Sequence, residues 1–358
     1  MNLGDMSGAS HIDFDGGCMI VSCASVVGPK EGRGPLGEYF DEVTEDDLLQ
    51  QSSWEKAERK MLAESARLAC AKIGLTTENV QFLLAGDLLN QIITSGYAAR
   101  EIDVPFLGLY GACSTFVESL LLGACLVEGG FAESVICATA SHHKTAERQY
   151  RLPTEFASQR PKESQWTVTG AGAFVLAGCP RSEDIQDNQI SPGAVVVSAT
   201  PGRVVDFEVK DPFNMGAAMA PAAADTLLRH FSQTGTGPED YDLILSGDLG
   251  RLGYALTVRL MQKSKGIDIS GDNFKDAGIL IYSKEQKVNA GGSGCACQPV
   301  TFAGYIWDMV DKWDLQRILL VGTGALHSPV ACQQGETIPG IAHVVELEFT
   351  QTNSCERE

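Results

Sequence analysis

A cysteine that follows a turn of small residues is the side chain in this sequence best suited to covalent chemistry. Residues 111–115 read Gly-Ala-Cys-Ser-Thr, and residues 113–128 are almost continuously apolar. This pattern predicts a strand that ends at Leu109 and a buried helix that Cys113 opens. At a helix N-terminus, the backbone dipole and unpaired amides would stabilise a thiolate. A small residue chosen to fit a tight turn explains the same position.

Polar side chains follow two predicted strands and are candidates for ligand binding. Asp87 and Asn90 lie in Gly-Asp-Leu-Leu-Asn-Gln, directly after the apolar residues 82–85, and Asp248 occupies the matching position in a second copy of the pattern. Ligands of parallel sheets collect at the carboxyl ends of the strands. Asp87 could instead cap the helix that follows it, and the same alternative holds for Asp248.

The densest basic segment of the chain lies in residues 143–166 and predicts a site for a carboxylate ligand. His143 follows a predicted strand, and Arg148 and Arg151 come after it. Guanidinium groups pair with carboxylates through two hydrogen bonds. The alternative is a solvated loop whose arginines form ion pairs with neighbouring glutamates. His327 is a second candidate site histidine, or a loop residue.

The elements that would position these residues alternate between strand and helix. Residues 52–73 predict an amphipathic helix with Ser52 and Glu55 as a capping box. Residues 144–166 predict a long functional loop. Such alternation predicts an α/β fold with a mainly parallel sheet covered by helices. The predicted strands are residues 19–26, 82–85, 105–109, 135–139 and 173–177.

The pattern occurs twice, which predicts a duplicated domain. Residues 74–88 read against residues 235–249, and residues 113–139 read against residues 297–323. The change of spacing predicts an insertion near residues 265–290. A repeat of this length is too long for a solenoid. We therefore expect two similar halves, residues 1–180 and 181–358.

Composition limits the classes of partner. The 358 residues include 46 acidic and 27 basic side chains, for a net charge of -19, which argues against nucleic acid or anionic lipid as a direct partner. Residues 1–17 do not read as a signal peptide, and no apolar stretch approaches the ~20 residues that span a bilayer. The 11 cysteines lack the spacing of a disulfide scaffold or a zinc site, so neither metal nor cofactor is expected.

These features together resemble the thiolase superfamily and, within it, the stage V sporulation protein AD family of endospore-forming bacteria. The duplicated α/β unit, the cysteine that opens a helix and the later Gly-Gly loop carry the first resemblance. The second runs almost end to end, through residues 28–31, 84–91, 111–115, 219–226 and 291–297. The superfamily resemblance implies βαβαβαββ halves layered α/β/α/β/α, with Cys113 at the nucleophile position.

The family resemblance also implies a function. The chain would bind dipicolinic acid, with calcium as a candidate companion ion, in a complex that imports this dicarboxylate into the forespore. Its partners would be membrane-embedded channel subunits, and it would lie in the forespore cytoplasm at the inner spore membrane through them. A homodimer is expected by the same resemblance.

Departures from the superfamily pattern favour a binding protein over an enzyme. Thiolases carry Gly-His-Pro after the Gly-Gly loop, where this sequence has Cys297-Gln298-Pro299. Condensing enzymes place a catalytic histidine where this chain has Asp248, a residue that would oppose thiolate formation. The alternatives are an acyltransferase that uses Cys113 with His143 or His327 as the base, and a structural scaffold.

Overall fold

The computed structural model describes residue 3 and residues 11–150, 160–179 and 193–349. The strands are β1 (Ile12–Asp13), β2 (Cys18–Val27), β3 (Glu42–Val43), β4 (Phe82–Gly86), β5 (Phe106–Gly108), β6 (Ser134–Ser141), β7 (Trp166–Thr167), β8 (Gly170–Gly178), β9 (Ala194–Thr200), β10 (Leu243–Ser246), β11 (Phe274–Asp276), β12 (Gly292–Ser293), β13 (Arg317–Ala325) and β14 (Gly340–Phe349). The α-helices are α1 (Pro29–Gly32), α2 (Trp54–Ala71), α3 (Ile93–Ile102), α4 (Thr115–Glu128), α5 (His143–Tyr150), α6 (Met215–Thr234), α7 (Gly250–Lys265), α8 (Ala277–Leu280), α9 (Cys297–Val300), α10 (Trp307–Trp313) and α11 (Pro329–Gln333).

The main sheet has two halves with the same strand order. From one edge to the other, the strands run β11-β10-β13-β14-β9-β2-β8-β6-β4-β5. Counted outward from the central β9–β2 pair, β9-β14-β13-β10-β11 of one half corresponds to β2-β8-β6-β4-β5 of the other. β4, β5 and β6 are parallel, and β8 is antiparallel to both β2 and β6. β14 has the same antiparallel relation to β9 and β13. The predicted duplicated α/β fold is confirmed. The prediction of a mainly parallel sheet is wrong, because the central strands β2, β8, β9 and β14 pair antiparallel with their neighbours.

A layer of buried helices lies between the two half-sheets. α4 packs against β6 and β8 of the first half and against β13 and β14 of the second. α9, a turn of π-helix (Thr301–Ile306) and α10 form the corresponding helix of the second half, and α9 packs on β2 and β8. α2 and α3 cover the outer face of the first half-sheet, and α6 and α7 cover that of the second. These are the five layers that the resemblance implied.

The structure corrects several predicted boundaries. Ser53, not Ser52, caps α2, because its hydroxyl accepts a hydrogen bond from the Lys56 amide. Residues 143–150, expected as the start of a loop, form α5. Most of the insertion in the second half follows β11, in residues 277–294, later than predicted. The predicted boundary between the halves, at residues 180 and 181, lies outside the described residues.

Three fully buried phenylalanine rings connect the two halves through the central layer. The Phe116 ring on α4 lies 4.7 Å from the Phe174 ring on β8, and the Phe174 ring lies 5.8 Å from the Phe302 ring of the second-half helix. Aromatic rings at these separations add dispersion and quadrupole attraction to the free energy of burial. The contact between Phe174 and Phe302 therefore stabilises the joining of the halves.

We expect Phe302→Ala to lower the free energy of unfolding by about 3–5 kcal/mol, the usual cost of truncating a buried phenylalanine. Chemical denaturation followed by tryptophan fluorescence measures this change. Phe131→Ala is the matched control, because the Phe131 side chain is 75% exposed and should change stability by less than about 0.5 kcal/mol. Equal effects of the two substitutions would contradict the packing described above.

Candidate functional site

Cys113 lies in a strained turn between β5 and α4. Ala112 precedes it with a φ of 51°, a left-handed conformation that non-glycine residues rarely adopt. The Ser114 hydroxyl donates to the Gly111 carbonyl at 2.7 Å, and the Thr115 hydroxyl donates to the Ala112 carbonyl at 2.7 Å. The turn is held from within by these bonds. Cys113 precedes the N-cap residue Ser114, so the helix begins two residues later than predicted, at Thr115.

The thiol of Cys113 meets an aspartate from the other half of the chain. Its sulfur lies beside the Asp248 carboxyl group and the Gly294 amide, and both influence its ionisation. The Asp248 carboxylate also accepts from the Thr323 hydroxyl at 2.8 Å and from the Gly294 amide at 3.1 Å. Asp248 follows β10 and Thr323 lies on β13, so the second half supplies these polar neighbours of the first-half cysteine.

Burial and charge oppose ionisation of both groups. Burial raises the pKa of Asp248 to about 7, in spite of its hydrogen bonds. Burial also raises the pKa of the Cys113 thiol well above its usual range, and the charge of Asp248 raises it further. The Cys113 thiol is therefore protonated at neutral pH. Burial and this charge thus act against the thiolate that a helix N-terminus would stabilise.

The residue at the superfamily's histidine position has a structural role. The Gln298 side-chain amide donates to the Leu245 carbonyl of β10 at 2.9 Å and, more weakly, to the Val321 carbonyl of β13. Gln298 is 1% exposed. Its amide nitrogen thus connects two neighbouring strands. A glutamine in this position takes no proton from a thiol.

Two cavities lie on the approach to Cys113. The first, here called the inner pocket, has a volume of about 30 Å³. The second, here called the outer cleft, has a volume of about 400 Å³ and includes exposed residues. The inner pocket is lined by Leu88, Ala112, Cys113, Ala146, Tyr150, Thr167, Met215, Ser293, Ala325 and His327. The outer cleft is lined by Leu89, Asn90, Gln91, Ile92, Tyr110, Tyr150, Leu326, His327, Ser328 and Pro329.

The structure brings together four of the predicted site residues. Cys113 and His327 line the inner pocket, and Asn90 and His327 line the outer cleft. Asp248 lies beside Cys113. His327 follows β13 and packs against the Tyr150 ring at 5.2 Å. The prediction that strand ends would collect these side chains therefore fits their observed positions.

Asp87 does not line either cavity. One of its carboxylate oxygens accepts from the Leu89 amide at 2.8 Å, and the other accepts from the Ser95 amide and hydroxyl at 2.7 Å. These bonds stabilise the start of α3. Asp87 therefore acts as a helix-capping residue, which was the alternative interpretation. Its assignment to ligand binding is corrected.

In the second half, the aspartate of β11 is the residue that stabilises a helix start. Asp276 accepts from the Leu249 amide at 2.8 Å and from the Gly250 amide at 3.1 Å, at the start of α7. In the repeat, Gly250 corresponds to Leu89, whose amide bonds to Asp87. Asp248 is thereby left available to the Cys113 thiol.

The basic segment does not converge on the cavities. The His143 ring stacks on the Trp166 indole at 3.6 Å and is buried. The Arg148 guanidinium forms an ion pair with Glu55 and lies 5.6 Å from the Trp54 ring, outside both cavities. Arg151 lies outside the described residues. The placement of a carboxylate ligand on Arg148 is therefore corrected, because α5 directs this side chain toward α2.

Sequence reasoning missed two residues of the site. Thr323 could have been predicted from the repeat, which pairs it with Thr139 and so places both at the ends of equivalent strands. Tyr150 gave no local signal, since its position over the inner pocket depends on how α5 packs. Among the described residues, no group of three or more His, Cys, Asp or Glu side chains is arranged to hold a metal ion.

Comparison with known proteins identifies the family. Residues 8–348 match the family described as stage V sporulation protein AD. The chain belongs to the stage V sporulation protein AD family. Stage V sporulation protein AD of Bacillus subtilis (strain 168) is 45% identical to it over 335 residues, which is 94% of this chain and 95% of that protein.

Solved structures of condensing enzymes share the fold of this family member. The 3-oxoacyl-[acyl-carrier-protein] synthase III of Aquifex aeolicus matches with a TM-score of 0.56 and 14% identity, over 93% of this chain and all of that chain. Cerulenin-bound OleA of Xanthomonas campestris matches with a TM-score of 0.61 and 15% identity, over 94% of this chain and 98% of that one. At these identities the likeness concerns the fold.

No helix of this family member within residues 11–150, 160–179 and 193–349 combines the length and apolar character that a membrane crossing requires.

We expect Asp248→Asn to increase the rate at which iodoacetamide alkylates Cys113 at pH 8. Loss of the carboxylate charge lowers the pKa of the thiol toward its usual value, so a larger fraction is thiolate. The asparagine can retain both neighbours, because the Thr323 hydroxyl can accept from its amide. Peptide mass spectrometry measures the rate at Cys113.

Asp268→Asn is the control for this experiment, since Asp268 is exposed and distant in sequence from the cysteine. A Cys113 alkylation rate that is the same in both variants would argue against control of the thiol by Asp248.

Proposed function

We propose that this member of the stage V sporulation protein AD family binds dipicolinic acid in the outer cleft and does not catalyse acyl transfer. The observation that carries this proposal is the partner of the Cys113 thiol, which is the carboxyl group of Asp248. A nucleophilic cysteine needs a neighbour that accepts its proton or stabilises its anion. The charge of Asp248 raises the pKa of the thiol and so works against the thiolate anion.

The size of the two cavities supports binding in the outer cleft. The inner pocket, at about 30 Å³, is the volume that one water molecule occupies in the liquid. The outer cleft, at about 400 Å³, lies in the range of small-molecule sites. A planar ring with two carboxylates fits the second volume and not the first.

The polar groups of the outer cleft suit a carboxylate that is recognised by hydrogen bonds. Asn90, Ser328 and Tyr110 carry donors, and His327 is the lining residue that can carry a positive charge. A different cavity of about 180 Å³ is lined by Glu42, Glu45, Asp46 and Glu64, with Lys60 as its one basic lining residue among those described. That surface repels a dianion, which favours the outer cleft.

The family sets the wider role that we propose. The chain would act at the inner spore membrane, on the forespore side, through membrane-embedded channel subunits that carry dipicolinic acid into the forespore. We also propose a homodimer and a contribution to spore germination. Calcium is the natural counter-ion of a dicarboxylate, and it would enter with the ligand.

An acyltransferase is the second candidate, because condensing enzymes share the fold and Cys113 lies directly before α4. In that case Cys113 would be acylated by an acyl thioester, with His327 as the base in the same pocket. A gain in mass at Cys113 on incubation with an acyl-CoA would favour this candidate. Saturable dipicolinate binding with no such gain would favour the binding protein.

We expect calorimetric titration to show saturable binding of dipicolinate, and His327→Ala to weaken it about 10-fold, which corresponds to about 1.4 kcal/mol. A protonated imidazole donates a charge-assisted hydrogen bond to a carboxylate, so the substitution removes the lining group that can make this contact. Asn90→Ala should weaken binding by a smaller factor, because its amide is neutral.

Arg148→Ala is the matched control, since its guanidinium pairs with Glu55 outside the cleft. Its affinity should stay within about twofold of the parent. A titration with no heat of binding, or a large loss of affinity confined to Arg148→Ala, would contradict the placement of the ligand.

A further inference from the structure

The inner pocket and the outer cleft share two lining residues, Tyr150 and His327. We propose that Tyr150 determines which ligands this site accepts: its side chain closes the passage from the outer cleft to Cys113, so that bound molecules stay in the outer cleft. This inference deepens the proposed function and rests on it for the identity of the ligand, but the closure itself can be tested without any ligand.

Three contacts hold the Tyr150 side chain across the passage. Its hydroxyl donates to the Leu88 carbonyl, which belongs to the loop after β4. The same hydroxyl lies 3.3 Å from the Tyr110 hydroxyl, in the loop after β5. Its ring packs against His327, after β13. The side chain thus spans loops from both halves of the chain, directly above Cys113.

The preceding residue fixes the end of α5 to the same loop. The Gln149 side-chain nitrogen donates to the Leu88 carbonyl at 3.0 Å, and the Gln149 side-chain oxygen accepts from the Asn90 backbone amide at 2.9 Å. Two successive side chains of α5 are therefore tied to residues 88–90. Movement of Tyr150 away from the passage requires these bonds to break as well as its own.

The consequence is a selection by shape. A compact ring with carboxylates is accommodated in the outer cleft without disturbing Tyr150. A flexible acyl chain that must reach Cys113 meets the tyrosine ring and then a pocket with room for about one water molecule. The same side chain therefore forms a wall of the proposed ligand site and a barrier to thioester chemistry at Cys113.

Thiol modification with reagents of two sizes tests the barrier. Purified full-length protein is treated at pH 8 with iodoacetamide and, separately, with fluorescein maleimide, and modification of Cys113 is followed by peptide mass spectrometry. We expect Tyr150→Ala to raise the fluorescein maleimide rate at least 10-fold and the iodoacetamide rate by less. Tyr150→Phe should raise the rates less than Tyr150→Ala, because the ring remains although its two hydroxyl contacts are lost.

Internal controls separate opening of the passage from unfolding. Cys23 and Cys137 are buried in the core and should stay unmodified in every variant. Tyr97→Ala, on the exposed face of α3, should leave the rates at Cys113 unchanged. If Tyr150→Ala unfolds, Tyr150→Leu provides a smaller apolar side chain for the same comparison.

Unchanged Cys113 rates in a folded Tyr150→Ala or Tyr150→Leu protein would overturn the proposal. Because no dipicolinate is present, this outcome would leave the proposed ligand binding intact. Conversely, absent calorimetric binding together with a large gain in Cys113 modification would retain the barrier and reject the ligand.

Discussion

The placement of the Cys113 thiol beside the Asp248 carboxyl group depends on the whole architecture and in turn defines the site. The two residues come from different halves, and they meet because the half-sheets enclose the central helices. Enclosure removes water from both groups, so the pKa of each is raised. The strands thus bring together two acidic groups, and a fold of this shape does not by itself set the chemistry of its centre.

The surroundings of this pair account for its persistence. Gly294 adopts a φ of 105°, which allows its amide to reach both the sulfur and the Asp248 carboxylate. The Thr323 hydroxyl, on β13, donates a second hydrogen bond to the Asp248 carboxylate. A buried carboxyl group that lacked these donors would carry a large desolvation cost. Asp248 is thus tolerated because its hydrogen-bond partners are fixed by backbone and strand positions.

Much of the fold could be predicted from the sequence, and the candidate site only in part. The strands, the buried helix after Cys113 and the duplication follow from apolar patterns that span a few residues or a regular repeat. The positions of Cys113, Asn90, Asp248 and His327 follow from where strands end. Arg148 and Tyr150 could not be placed this way, because their contacts depend on the direction in which α5 packs against α2 and the loop after β4. Net charge gives no position for a binding site, because charges beyond about 8 Å are screened and the lining of a cleft decides what it binds.

The three aspartates at the strand ends divide two tasks between them. Asp87 and Asp248 occupy matching positions of the repeat, and Asp87 stabilises the first turns of its helix. In the second half Asp276 supplies the acceptor for the amides at the helix start. Asp248 therefore accepts instead from the Gly294 amide and the Thr323 hydroxyl beside the cysteine. Two copies of one pattern allow one aspartate to keep a structural task while its counterpart takes up another.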